Sequence, residues 1–365
     1  MSKIKIFFLF GFLSMVGCTS SNQYEDSEVI VFDCQKHSTF SSISEIFSGG
    51  HFLIPNDGGD KSMMFSEPEQ VIYKNGKLYI SDWKNGKIII FNDNGTPELC
   101  LCKKGRGPQE YLRISYFDID KNGNIWILDG QRDRLLQYSQ DGSFLSAFDL
   151  DYEVNHIKCL DNGNLLFGLA PWDNSRYKNK KILILDKDMK VISACLDSGK
   201  YSDPNFEFQS QGFITTENGI FYHTPIDDYV YFLTLDGKYE KSYYVDFGSY
   251  IFPKEVRKNI QSHYEKIDNY RALVNTVYID ENRFIGSFLD KGHFMEFIID
   301  RQSDILYLKD GPYASMHLIG VSGNYAVFYI PAGYPGEILY MPDSVKAEYD
   351  LGKDLFLILD INAIK

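Results

Sequence analysis

One cassette recurs six times along the chain, and that repeat limits the possible folds more than any other feature. Each copy has an Asn-Gly-type turn, an apolar strand, a polar gap, a second apolar strand and a second turn. The first copy is Asn75-Gly76, strands at 77–81 and 87–91, then Asp93-Asn94-Gly95. The second is Asn122-Gly123, 124–128, 135–138 and Asp141-Gly142. The third is Asn162-Gly163, 165–167, 182–185 and Asp188, and the fourth is Asn218-Gly219, 220–222, 230–235 and Asp236-Gly237. The fifth is degraded: Glu281-Asn282, 284–285, 294–299 and Asp300. The sixth is Gly323-Asn324, 325–329, then 355–359 after a long insertion. A four-stranded unit cannot bury both of its faces alone, so six such units stack around an axis. The expected fold is all-β, a six-bladed β-propeller. A parallel α/β fold would need helical patterns of about 10–15 residues between strands, and the cassettes have none.

Two further expectations concern the ends and one insertion. The apolar run at 29–32 opens the fold and 355–359 closes it, so the N-terminal segment is expected to complete the last blade. Between copies four and five, Val256, Ile260, Tyr264, Ile267 and Tyr270 or Ala272 recur every three or four residues after Pro253. That spacing predicts a short helical insertion at about 253–275. It either packs outside the blades or forms a lid over one end of the axis.

Composition narrows the function classes. Of 365 residues, 44% are hydrophobic and 15% aromatic, which excludes intrinsic disorder. A mean hydropathy of −0.26 excludes a polytopic membrane protein. The formal net charge is −13 without a basic block, which argues against nucleic acid. No GxSxG, HExxH, Walker-type loop or GxGxxG before a helix is present.

The N-terminus reads as a processing signal. Lys3 and Lys5 precede an apolar run at 6–13, eight residues long and too short to cross a hydrocarbon core of about 30 Å. Met15-Val16-Gly17-Cys18 resembles a bacterial lipobox, in which the cysteine is lipidated. The expected organisation is a lipoprotein signal peptide at 1–17, a tether at 18–28 and the propeller at 29–365. Glu25 and Asp26 resemble the surface-export signal of Bacteroidota lipoproteins. The lipid on Cys18 is then the only membrane contact, and the location is the outer membrane, facing the periplasm or the surface. Cys34, Cys100, Cys102, Cys159 and Cys195 form no CxxC pattern and read as small buried hydrophobes. Neither a metal nor another cofactor is expected.

The strings KLYISDWKNGKIIIFNDNG and NIWILDGQRDRLLQYSQDG resemble NHL repeats. Between them, KKGRGPQEYLRISYFDID at 103–120 resembles a loop of the six-bladed propeller lipoproteins of Bacteroidota, NHL-like or TolB-like, whose usual form is close to GrGPGEY. Gln109 departs from that form. The resemblance implies a fold and an envelope location and no chemistry.

Candidate binding residues come from that loop and from the repeat register. Arg106, Glu110 and Arg113 flank a tight turn made by Gly105, Gly107 and Pro108, and structural stitching by Arg106 and Glu110 is the alternative role. Eight residues before each leading turn stand Pro68, Ser115, Asn155, Gln211, Asn275 and Ser315. These begin the innermost strands and ring the mouth of the axis, with Glu69, His156 and His317 beside them. Asp82 and Asp129 read as turn caps rather than metal ligands. Trp172, Tyr177, Tyr201, Tyr313, Tyr334 and Tyr340 are candidate stacking platforms. The function expected is a monomeric, non-catalytic propeller that binds a polar small molecule, a glycan, a peptide or an envelope protein. A hydrolase or lyase of the lactonase type, or a scaffold subunit of an envelope complex, is the alternative.

Overall fold

The computed structural model describes residues 27–32, 37–39, 50–198, 203, 210–290, 292–302, 305–308, 317–333 and 341–363. Cys18, Cys34, Tyr201, Tyr313, Ser315, Tyr334 and Tyr340 lie outside the described residues. Three N-terminal strands come first: β1 (Glu28–Val31), β2 (His37–Thr39) and β3 (Gly50–Leu53). Blade 1 is β4 (Gln70–Lys74), β5 (Lys77–Asp82), β6 (Lys87–Asn92) and β7 (Pro97–Leu101). Blade 2 is β8 (Tyr116–Ile119), β9 (Ile125–Asp129), β10 (Arg134–Tyr138) and β11 (Phe144–Asp149). Blade 3 is β12 (Val154–Cys159), β13 (Leu165–Leu169), β14 (Lys180–Leu185) and β15 (Val191–Asp197). Blade 4 is β16 (Phe213–Thr215), β17 (Ile220–Tyr222), β18 (Tyr229–Leu233) and β19 (Tyr239–Asp246). Blade 5 is β20 (Arg271–Ile279), β21 (Arg283–Asp290), β22 (His293–Asp300) and β23 (Ile305–Leu308). Blade 6 is β24 (His317–Ser322), β25 (Tyr325–Ile330) and β26 (Leu355–Asp360), completed by β3. The six-bladed propeller is the fold.

The cassettes are the second and third strands of each blade. Those strands are covered on both faces by neighbouring blades, so they read as nearly continuous apolar runs. In blade 1, Leu78, Ile80, Ile88, Ile89 and Ile90 are all buried. The fourth strands are half exposed, as in β11 and β15. The hairpins need left-handed backbone, and Asn75 (φ 53) with Gly76 (φ 69) forms a two-residue turn of that kind between β4 and β5.

Two expectations are corrected. Strand β3 pairs antiparallel with β26, Leu53 opposite Phe356, and closes the ring. The run at 29–32 does not close it: β1 instead lies parallel to β19 as a fifth strand of blade 4, and β2 lies parallel to β23 on blade 5. The three N-terminal strands therefore lie along the outer edges of blades 4, 5 and 6. The insertion is shorter and more broken than expected. It has a four-residue helix, α1 (Lys254–Arg257), and 3-10 turns over Gln261–Asn269 kinked at His263. Asn259 Oδ1 accepts the Ser262 amide at 3.0 Å, a local bond that competes with continuous helix. Residues 271–275 are strand because β20 pairs along β21. A second helix, α2 (Asp343–Asp350), lies within the long insertion of blade 6.

The inner strands are held by side chains that reach the next strand's open edge. Gln70 in β4 donates to the Phe117 carbonyl at 2.8 Å and accepts the Phe117 amide at 3.0 Å. Asp118 in β8 accepts the Cys159 amide of β12 at 2.7 Å and pairs with Lys158 at 2.9 Å. Each leaves no orphan at a buried edge, where an unpaired group costs about 1–3 kcal/mol. We predict that Gln70→Ala, which strands both Phe117 groups, lowers stability by about 2–4 kcal/mol. Urea unfolding checks this: a midpoint equal to wild type contradicts it.

Candidate functional site at the propeller mouth

The two ends of the propeller are built differently. At one end, the turns joining first to second and third to fourth strands hold only two to five residues each. At the other end, where the innermost strands begin, connections run to 24 residues, between β19 and β20 and between β25 and β26. That second end is the mouth. Long connections carry binding groups on a rigid frame.

The Gly-Arg-Gly-Pro loop joins β7 to β8 at the mouth and is locked from within. Glu110 turns back and accepts the Gly107 amide at 2.7 Å. A Cβ at Gly105 would stand 2.0 Å from Glu110 Oε2, so a larger residue there would displace the Glu110 carboxylate from this turn. Tyr111 is fully buried and donates to the carbonyls of Gly86 (2.9 Å) and Leu101 (3.2 Å) while accepting the Lys103 amide. Tyr138 of blade 2 donates to the Gln109 carbonyl at 2.8 Å. Tyr111 and Tyr138 thus carry the stitch between blades 1 and 2. Arg106 is exposed and makes no bond to the other described residues. Arg113 is exposed and lies over the Trp83 ring, 6.0 Å from its centre.

Buried carboxylates brace the entries to the inner strands. Asp82 accepts the Ser66 amide and hydroxyl, both at 3.2 Å. Asp129 accepts the amides of Leu112 (2.8 Å) and Arg113 (3.3 Å). Asp173 does the same for Glu153 at 3.0 Å in blade 3. The caps were legible for Asp82 and Asp129. Asp173 was missed because the longer β13–β14 connection displaces it from its register position. Among the described residues, no three His, Cys, Asp or Glu cluster as metal ligands would.

The ring residues fall where the repeat register puts them. Ser115, Asn155, Gln211 and His317 stand at the starts of β8, β12, β16 and β24, while Asn275 lies in mid-β20. Their bonds run mainly to backbone. Ser115 Oγ accepts the Gly130 amide at 3.1 Å. Gln211 donates to the Val321 carbonyl at 2.8 Å and accepts its amide at 2.9 Å, while its own amide is held by Asn275 Oδ1 at 2.8 Å. The Gly323 amide donates to Thr215 at 2.8 Å, so blades 4 and 6 touch directly near the axis. An axial cavity among the described residues, about 270 Å³ including space open to solvent, is lined by Gln70, Tyr116, Asp118, Lys158, Gln211 and Thr215 among others. It has room for about one water.

That surface presents aromatic rings. Trp83, Trp172, Tyr250 and Phe294 are exposed, and all four stand at the mouth, in blades 1, 3 and 5 and the β19–β20 connection. Tyr177 is half buried, edge-on to Tyr152 and under Arg176 at 4.8 Å. Trp83 was overlooked because Asp82 beside it drew the turn-cap reading. The insertion also sits at this end. Val256, Ile260 and Ile267 pack with Ile226, Phe252, Val274 and Leu289, and Arg257 pairs with Asp228. It caps blades 4 and 5, and none of its described residues lines the axial cavity. Of the cysteines, Cys159 and Cys195 are buried as expected, Cys100 is half buried, and Cys102 is exposed, against expectation.

His156 is buried between blades 3 and 4. Its Nε2 lies 3.3 Å from Ser210 Oγ, its ring meets Tyr116 edge-on at 5.2 Å, and its Nδ1 has no partner among the described residues. A Cβ on Gly212 would come within 2.4 Å of the ring. Burial pushes its pKa down to about 4, and does the same to His223, which contacts the Asp227 carbonyl at 3.1 Å. Both stay neutral when folded and charge near 6.5 when unfolded. The unfolded chain then binds more protons between about pH 6.5 and 4, so stability is complete above 6.5 and falls as pH drops. Asp228, pushed up to about 6 by burial against the pull of Arg257, acts with the opposite sign. The difference between variants is therefore the readout. His156→Phe should remove on the order of 3 kcal/mol of the stability loss between pH 7 and pH 4. Urea midpoints across that range check it, and parallel wild-type and variant profiles contradict it.

A protein of Bacteroides fragilis described as exported superposes with a TM-score of 0.71 at 19% identity, over 90% of this chain and 99% of its own. A DUF4221 family member from Bacteroides vulgatus superposes at 0.52 and 10% identity, over 85% and 97%. At these identities the likeness is one of fold. Among curated proteins none matches. The sequence matches the domain of unknown function DUF4934 over residues 59–340, from ahead of β4 to beyond β25. The chain belongs to the DUF4934 family.

Proposed function

We propose that the protein is a lipoprotein of the outer membrane, anchored through Cys18, that binds a polar ligand or partner non-catalytically at the mouth of its propeller. The observation that carries this reading is the difference between the two ends: short turns at one, long connections with exposed Trp83, Trp172, Tyr250 and Phe294 at the other. Arg113 over Trp83 adds a cation beside a flat apolar face. Together they suit a glycan or a peptide, which offers both an apolar face and polar groups. Arg106, Glu110, Asn155, His156 and His317 frame the same end. The description of the Bacteroides fragilis relative as exported agrees with an envelope location.

The test uses purified protein on arrays of neutral and acidic oligosaccharides and of peptides. At least one class should bind. Trp83→Ala, Trp172→Ala and Arg113→Ala should each weaken it about ten- to a hundredfold, as loss of a charged hydrogen bond or a stacking face would. Unfolding midpoints should stay at the wild-type value, since all three side chains are exposed. Unchanged affinity in all three variants moves the site away from the mouth.

A further inference from the structure

The connection from β7 to β8 concentrates positive charge on an acidic chain. Within 103–113, Lys103, Lys104, Arg106 and Arg113 are offset by one carboxylate, Glu110, whereas the whole chain has a formal net charge of −13. All four cations are exposed, and none has an ion-pair partner among the described residues. The nearby carboxylates are engaged elsewhere. Glu110 accepts the Gly107 amide at 2.7 Å, Asp82 and Asp129 are buried on backbone amides, and Glu67 pairs with Lys84 at 2.7 Å. The cations gather beside the 83–86 turn. Arg113 lies over the Trp83 ring at 6.0 Å, and Lys104 lays its stem against Gly86, where a Cβ would stand 2.8 Å from Lys104 Cδ. Arg132, from the β9–β10 turn, joins them by donating to the Gly107 carbonyl at 3.4 Å. In the insertion, by contrast, exposed Lys254, Glu255, Lys258, Glu265, Lys266 and Asp268 mix both signs, and Lys258 pairs with Glu255 at 3.3 Å.

Resting on the mouth-binding reading above, we infer that the rim of blades 1 and 2 takes an acidic glycan, one whose sugars carry carboxylate or sulfate groups. The exposed Trp83 indole offers a flat apolar surface to the C–H face of a sugar ring, and the cations beside it meet an anionic group on the ring's edge. Charges more than about 8 Å away are largely screened at physiological salt, so the local cations outweigh the distant carboxylates of the chain. Several cations on one connection suit a repeating anion better than a single one. The main chain here offers a peptide little to pair with. The amides of Gly105, Glu110 and Tyr111 donate to carbonyls of the same connection, and those of Leu112 and Arg113 donate to Asp129. Strand addition needs such groups open. Recognition therefore falls to side chains, a ring face and fixed charges, which an acidic sugar matches within one residue.

The experiment titrates full-length protein with an oligogalacturonate, an oligoguluronate and a sulfated oligogalactan, each beside its uncharged form made by methyl esterification or desulfation. At least one acidic form should bind about tenfold or more tightly than its uncharged form, and the arm that binds tells carboxylate from sulfate. Its affinity should fall as salt is raised. Arg113→Gln, and Lys103→Gln together with Lys104→Gln, should each weaken it about tenfold, while Lys266→Gln in the insertion leaves it unchanged. All these side chains are exposed, so unfolding midpoints should stay at the wild-type value. An uncharged form that binds as tightly as its acidic counterpart, or an acidic one indifferent to the Arg113 and Lys103/Lys104 changes, overturns the inference. Oligoglutamate binding as tightly as the acidic sugars overturns the glycan class in favour of an acidic peptide. If no acidic sugar binds, the inference falls; a neutral sugar or peptide whose binding is weakened by Trp172→Ala then shows that the mouth reading outlives it, and no binding at all takes both down.

Discussion

Everything in this molecule depends on closing the ring. Six blades bury each other only if the sixth also packs on the first, and the C-terminal part of the chain supplies three strands of that blade. The fourth is Gly50–Leu53, laid antiparallel on β26. Leu53 sits in one apolar cluster with Val71, Leu78 and Ile80 of blade 1 and Phe356 and Ile358 of blade 6. That cluster is the seam where the two ends of the chain meet. Because ring closure joins residues about 300 apart, every other blade-to-blade contact inherits its stability from this pairing.

The closed ring also sets how the side chains at the axis are used. Side chains that could have served a ligand at the axis instead complete the inner strands: Gln70 on Phe117, Asp118 on Cys159, Gln211 on Val321. Gly320, where a Cβ would stand 2.5 Å from the Val71 carbonyl, lets β24 close against β4. The described inner strands are consequently packed against one another, and connection length varies most at the rim, where it is unconstrained by the blade ladder.

The parts of this arrangement legible in the sequence are those with local causes. Middle strands are apolar because both faces are covered, and turns are Asn-Gly or Asp-Gly because the hairpins need left-handed backbone, so six cassettes stood out. The register from those turns placed Ser115, Asn155 and Gln211 at the starts of inner strands. The N-terminal pairing was illegible, since which of β1 and β3 closes the ring depends on pairing with strands hundreds of residues away. The helical spacing through 270 and 272 misled because Arg271–Ile279 is claimed by the β21 ladder. Trp83 gave no signal beyond its type, since exposure is a property of the assembled rim.

Ring closure is tested most directly by thermal unfolding of two N-terminal truncations. A chain starting at Ser48 lacks β1 and β2 but keeps β3, and should unfold in one cooperative transition. A chain starting at Ile54 loses β3 as well, with the burial of Phe52 and Leu53 worth about 4–5 kcal/mol, a large part of a typical stability of about 5–15 kcal/mol. That chain should lose its cooperative transition or melt far below the first. Equal melting of the two chains would contradict the account.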